Sequence, residues 1–467
     1  MNASNALHLC VVQVLLYLAV LCGCTGVARG EEPFVEVSSL QELAHVATQN
    51  GHSVRMRPGV YQISEYLTEQ VIAEIDESID RSKDGRPSVP MIAFTGSNNR
   101  FDFSQVIVEI DTAIYPKMPD GYLRCMLISG NRNKIHGLTI RNVGADRGSN
   151  GNLFSTLGDG NVIEEITLHV FGSQPHGYGD LLGKGGPNLV SPLLKQSGFM
   201  TGGRGNTLRR CRVFSRAFGH CFYLQNATDT RIEDCRAEGE MRPTSDMLRD
   251  VSGLAFDLGF KSVYPNRDGR YAITPGYMKS LSEDGFRTYA GVSRTKIINC
   301  VAVNTRAGFE IGGCDADTDK TVVENCVATG CERGYLLGSN VLVRRSRGDI
   351  SFGPLLYLRG GRNSDVELEL TGKPSDFTVH ALATIAGTGH RVRLSAQSQE
   401  DGTHSFPILL GFGMPEHAEI ASPILPADAV NITLSNELSD NPIISSKQAK
   451  RCTVKARGSR VSDASAH

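Results

Sequence analysis

The sequence predicts an all-β fold, a right-handed parallel β-helix solenoid with a short N-terminal capping helix and two long loop insertions. Three observations carry the prediction: an apolar spacing that recurs at a near-constant step, abundant turn formers, and two interruptions that leave the repeat at the same point of a coil. The chain has 467 residues, 40% of them apolar, and 50 glycines. One elongated repeat domain fits that length, and the glycines point to many turns rather than long helices.

The repeat comes first. Six segments carry an apolar residue, a second three positions later and a third two beyond that: Ile135/Leu138/Ile140, Ile163/Ile166/Leu168, Leu208/Cys211/Val213, Ile232/Cys235/Ala237, Ile297/Cys300/Ala302 and Val323/Cys326/Ala328. Each is introduced by Asn or Thr, and the regular steps are 24, 26 and 28 residues. That is the length of one coil of three short strands, which buries its inward side chains only when coils stack. Cys211, Cys235, Cys300 and Cys326 should then form an inner column, where free cysteine acts as a small hydrophobe. A second strand is expected at Phe309-Glu310-Ile311 and Tyr335-Leu336-Leu337, each just after a glycine. Weaker coils continue through Val366, Val392 and Ile432 to Leu434.

The ends need closure because open coils expose strand edges. Residues 1–30 read as an export signal with an apolar run from Leu9 to Leu21. Two exits fit it: a lipobox-like Leu21-Cys22-Gly23-Cys24 that would anchor Cys24 to a membrane, and a soluble cleavage near Ala28. The protein is therefore expected outside the cytoplasm, secreted, periplasmic or lipid-anchored. Residues 31–53 form the cap, with Ser39-Leu40-Gln41-Glu42 as a capping box opening a helix that runs to about Gln49. The solenoid spans 54–455, and 456–467 are expected to be a disordered tail.

The interruptions lie near 172–203 and 239–291, the second able to hide a divergent coil around Val251 to Phe260. Two loops leaving one corner would wall a cleft, and loops on a rigid scaffold often carry function. Their polar residues supply candidates for proton transfer, charge neutralisation and carboxylate chemistry: Lys195, Arg242, Lys261, Lys279, Glu283, Asp284 and, on the adjoining strand, Glu310. His176, Tyr178, Arg267, Tyr271, Arg287 and Arg306 are the candidates for holding substrate. Charge reversal at Arg242 or Lys279 is expected to abolish turnover with little loss of thermal stability.

This repeat resembles the right-handed β-helix, pectin-lyase-like superfamily over 54–455. The resemblance implies polysaccharide lyases, hydrolases and epimerases, and also tailspikes and adhesins that only bind. Gly219-His220-Cys221 is partly similar to the Gly-His-Gly element of polygalacturonases, but that family's other elements are absent in the expected arrangement. Phase places His220 in the inward column of Phe309 and Tyr335, as a core histidine.

The expected function is that of a carbohydrate-active protein, a lyase or else a hydrolase or epimerase, acting on an acidic or sulfated polysaccharide. The competing class is a non-catalytic glycan-binding surface protein. A net charge of −2 removes the footprint of a nucleic-acid binder, and the absence of tryptophan weighs against a neutral-glycan hydrolase. No cofactor is expected. Calcium finds no supporting ligand cluster, since Asp315-Ala316-Asp317-Thr318-Asp319 lacks the glycine and distal glutamate of a calcium loop. A monomer is expected.

Overall fold

Short strands follow one another in a fixed order, coil after coil, and pair in parallel with their equivalents one coil away. The computed structural model describes residues 34–82, 85–144, 148–183, 190–312, 319–398, 405–414, 422–439, 441–456 and 461–463. The export signal with Cys24 and Ala28, the residue Cys314 and most of the 315–319 acidic run lie outside the described residues.

The anchors legible in the sequence stack in register. Ile135 pairs with Ile163, Ile163 with Leu208, then Ile232, Ile297 and Val323 in turn. A second column runs Ile140, Leu168, Val213, Ala237, Ala302, Ala328. Between the two strands the chain turns a corner in which Glu165, Arg210, Asp234, Asn299 and Asn325 hold φ between 52° and 57°. This left-handed conformation suits Asn and Asp best among residues with a Cβ. The middle column is Leu138, Ile166, Cys211, Cys235, Cys300 and Cys326, all buried. Each thiol reaches a carbonyl of the preceding coil: Cys211 to Ile163 at 3.6 Å, Cys235 to Leu208 at 3.8 Å, Cys300 to Ile232 at 3.6 Å and Cys326 to Ile297 at 3.5 Å. Cysteine thus fills an apolar slot and also offers a weak donor there.

The introducing Asn residues have a structural task. The backbone N–H of Asn99 donates to Asn133 Oδ1 (2.9 Å), that of Asn133 to Asn161 Oδ1 (2.9 Å) and that of Asn161 to Asn206 Oδ1 (2.8 Å). The amide nitrogens of Asn133, Asn161 and Asn206 donate back to the Gly96, Gly130 and Gly158 carbonyls. Buried corner groups are thereby satisfied coil by coil.

The third face is a separate parallel sheet that includes Tyr122–Ile128, Gly151–Thr156, Gln196–Arg204, Phe222–Thr228, Phe286–Thr288, Ala307–Ile311 and Arg333–Leu337. Its inner side carries stacked rings: Phe199 on Phe222, Phe222 on Phe286, Phe286 on Phe309 and Phe309 on Tyr335, with centroids 4.9–5.1 Å apart. Phe286→Ala should cost about 3–5 kcal/mol, because the neighbouring coils cannot close over the lost ring. A calorimetric unfolding scan checks it, and an unchanged transition would contradict the stacking.

At the N-terminal end the helix Leu40–Val46 buries Leu40, Leu43 and Val46 over the first coil. Ser39 Oγ accepts the Glu42 N–H at 3.1 Å, while the Glu42 carboxylate accepts from the Ser38 N–H at 2.6 Å. A further helix, Glu69–Ser78, was not foreseen; Thr68 caps it, and Val71, Ile72 and Ile75 rest on the core. Two expectations are corrected. Val461–Asp463 in the expected tail pairs in parallel with Ile443–Ser445, since an exposed edge accepts any strand that reaches it. Residues 251–260 hold a helical turn, Leu254–Asp257, rather than a hidden coil.

Candidate functional site

Both insertions leave their coils after the second strand, the first after Thr167–Val170 and the second after Arg236–Glu238. They rejoin the third face at Gln196–Arg204 and Phe286–Thr288, so these two strands inside the expected insertion ranges belong to the solenoid. The insertions do not stand apart as two walls. Tyr178, Leu181 and Leu182 of the first pack with Met247, Ala255, Ile273 and Leu281 of the second around a small apolar core of their own. Arg242 completes the seam: it bonds Asp250 at 2.7 Å and lies 5.4 Å from the Tyr178 ring, while the Tyr178 hydroxyl donates to the same Asp250 carboxylate.

At the foot of this fused body lies a buried ionic lattice. Lys279, fully enclosed, sits 2.5 Å from Asp180 and 3.0 Å from Glu332. Arg306 meets Asp180 at 3.0 Å, Asp284 at 3.0 Å and Glu283 at 3.4 Å. Burial pushes Glu283 upward, but His220, Lys195 and Arg306 outweigh it and hold the carboxyl below its usual range. For Asp284 burial acts the same way, and Arg306 and His220 win decisively. Both carboxylates are therefore anionic, and the lattice ties the insertions to the coils beneath.

His220, itself buried, adjoins the lattice. Its Nδ1 is 3.1 Å from Asp284, its Nε2 is 3.2 Å from Glu283, and Nε2 lies 2.7 Å from the Tyr289 hydroxyl. Burial pulls His220 below its ordinary value, against Glu283 and Asp284, so the ring is neutral at pH 7. Each ring nitrogen faces an ionised carboxylate, Asp284 at Nδ1 and Glu283 at Nε2, and the Asp284 backbone N–H lies 3.5 Å from Nδ1; the tautomer with its proton on Nδ1 is the one that leaves Nε2 as an acceptor. In that tautomer Nε2 accepts the Tyr289 O–H. Asp284, His220 and Tyr289 form a relay, a row of polar contacts that ends on a half-buried phenol. Burial raises the Tyr289 hydroxyl above its ordinary value. Around it, Lys195 sits 2.5 Å from Glu283, and Arg287 pairs with Glu310 and covers the Tyr289 ring at 4.6 Å. Tyr223 and Tyr122 continue the row, their hydroxyls 3.0 Å apart and both bonded to Asn152 Oδ1.

No family model and no curated protein matches this sequence. Among solved structures, similar ones include an alginate lyase of family PL6 in complex with a trisaccharide (11% identity, 94% of this chain and 89% of that one, TM-score 0.48). A rhamnogalacturonan lyase is similar at 13% identity, 78% and 79% coverage and TM-score 0.42. The A-module of a mannuronan C-5 epimerase from Azotobacter vinelandii follows at 9%, 91% and 93%, and 0.42. The parallel coil-to-coil pairing makes the chain a parallel β-helix.

Within this β-helix, seven of the residues singled out in the sequence converge: Lys195, Lys279, Glu283, Asp284, Arg287, Arg306 and Glu310. Others are placed elsewhere. Lys279 is sealed inside the lattice and Tyr178 is buried in the seam, so neither is available to a substrate, and charge reversal at Lys279 is expected to cost stability rather than turnover alone; Arg242 is bonded to Asp250 but keeps part of its side chain exposed. Lys261 is exposed on a bridge to Ala272, Tyr271 is 62% exposed, His176 is half-buried on the first insertion, and Arg267 lines a separate cleft. His220 is also corrected. Phe222, not His220, pairs with Phe286 and so joins the Phe309 and Tyr335 column. Two additional residues between Cys211 and the strand shift the phase and turn His220 outward. Tyr289, Asp180 and Glu332 were missed; for Tyr289 the available signal was its place three residues after Phe286 on the same strand path.

Proposed function

We propose that this protein acts on an acidic polysaccharide, cleaving it by elimination at a uronate unit with Tyr289 and His220 as the proton-transfer pair. The observation that carries the reading is the Asp284–His220–Tyr289 relay opening onto a face where the solvent-reaching charged side chains are largely cations. Lys195 and Arg287 are partly exposed, as are Arg124 and Arg359 on flanking coils, whereas Glu283 and Asp284 lie beneath them as counter-charges. A substrate carboxylate would meet the cations first.

In this scheme His220 takes the Tyr289 proton as the phenolate removes the proton beside the uronate carboxylate. The bond to the glycosidic oxygen breaks, a carbon–carbon double bond forms, and the abstracted proton passes to the leaving oxygen. Epimerisation would share the first half and return the proton on the opposite face. Hydrolysis by paired carboxylates is disfavoured, because Glu283 and Asp284 are buried and engaged with Arg306 rather than flanking open space.

Incubation with a panel of uronate-containing and sulfated polysaccharides tests this, following ultraviolet absorbance of unsaturated ends together with reducing ends. Both signals are expected to rise. Reducing ends alone would replace elimination by hydrolysis, and silence in both, with binding retained, would leave a glycan-binding protein. The pH profile adds a check. A His220 held below its ordinary value of about 6.5 stays neutral as pH falls through that point, so activity should persist there and drop only at lower pH.

A further inference from the structure

The second insertion reaches well beyond the ionic lattice. Ser422 Oγ donates to the Pro265 carbonyl at 3.0 Å, and Tyr277 packs against Val379, so the insertion tip lies over coils far along the axis. Two adjoining hollows open between the tip and those coils, and Arg267 lines both. One, of about 460 Å³, is bounded by Thr378, His380, Phe406, Ser422 and Ile424. The other, of about 250 Å³, is bounded by Asn266, Asp268, Thr274, Tyr277 and Val379.

Each hollow is lined by a residue carrying a buried nitrogen without a hydrogen-bond partner among the described residues: Asn266 Nδ2 and His380 Nε2. Asn266 is 3% exposed, and its Oδ1 is taken by the N–H groups of Asp268 and Arg270, both at 3.0 Å, which fixes the amide with its NH₂ unsatisfied. A buried polar group left without a partner is costly, so the retention of two at a cleft points to a partner supplied from outside. His380 holds φ at 69°, a conformation uncommon for a side chain with a Cβ and often found at ligand sites. Burial, with Arg267 and Arg333 nearby, pulls the imidazole down to about 3, so it is a neutral group in a positive surround. An amide NH₂, a ring nitrogen able to carry a proton and a guanidinium along one cleft match the oxygens of an anion.

We propose that the cleft around Arg267, Asn266 and His380 binds one acidic group, a sulfate or a carboxylate, of a glycan chain, several coils away from Tyr289. The proposal rests on the polysaccharide reading above. Such a site would hold a distal unit of the polymer and fix the register in which the chain crosses Tyr289.

The test titrates protein carrying ¹³C-labelled histidine, in the Tyr289→Phe background so that no turnover intervenes, with heparin hexasaccharide, maltohexaose and inorganic sulfate. The His380 resonance should shift saturably with heparin hexasaccharide and stay still with maltohexaose. Asn266→Asp, which keeps the Oδ1 acceptor but replaces the donor by a charge, should weaken that binding at least tenfold, as should Arg267→Ala. A shift unchanged in both variants, or no shift, overturns the site. Inorganic sulfate binding as tightly as the hexasaccharide overturns the glycan assignment, leaving a free-ion site. Saturable binding here, combined with unsaturated ends that form equally well without the Tyr289 hydroxyl, would keep this site and sink only the catalytic reading.

Discussion

Tyr289→Phe is expected to lower kcat on the responsive polymer by about 10²–10⁴-fold while leaving the thermal transition in place. The hydroxyl bonds His220 and belongs to a half-buried residue outside the core column, so its removal takes away a proton carrier without opening the core. KM should change little, because the cations that would hold the uronate, Lys195 and Arg287, keep their partners Glu283 and Glu310. Steady-state rates of unsaturated-end formation measure both quantities. A variant that retains wild-type kcat would remove Tyr289 from the chemistry and with it the elimination scheme. Loss of kcat accompanied by a matching loss of folded protein would show instead that the hydroxyl is structural.

Lys279→Met should behave in the opposite way, lowering stability by about 3–5 kcal/mol. The ammonium is enclosed between Asp180 and Glu332, and methionine fills its volume while leaving two buried anions short of a cation. The triple variant Lys279→Met, Asp180→Asn, Glu332→Gln should recover much of the loss, since the buried charges are then removed together. Calorimetry on the two variants decides the matter. An unchanged transition in the single variant would mean that the lattice is better solvated than its geometry shows.

The solenoid was legible because its signals are local and repeated. Ile232/Cys235/Ala237 and its relatives lie within six residues of one another, and the stacking that buries them follows from the repeat alone. The insertions were legible as gaps in the repeat. Their mutual packing was not, since Tyr178 meets Asp250 across 72 positions and Lys279 meets Glu332 across 53. Charge at Lys279 reads the same in a sequence whether it faces water or a buried pair. His220 failed for a narrower reason: counting eight residues from Cys211 assumes a uniform corner, and here the corner is longer by two. The helix Glu69–Ser78 left an ordinary signature, Thr68 followed by Val71, Ile72 and Ile75, but it falls before the first complete repeat where no period frames it.

A stack of coils is in essence a one-dimensional chain, each member held only by its neighbours, and such a chain can fray from an end one unit at a time. The second insertion breaks that rule. It is rooted after Glu238, tied to Glu332 through Lys279, packed on Val379 through Tyr277 and bonded to Ser422 through Pro265. It works as a splint laid along the column. Coils that never touch one another are obliged to open together, so peeling from the C-terminal end has to pause where the splint begins, and the relay at Tyr289 lies on the protected side of that point.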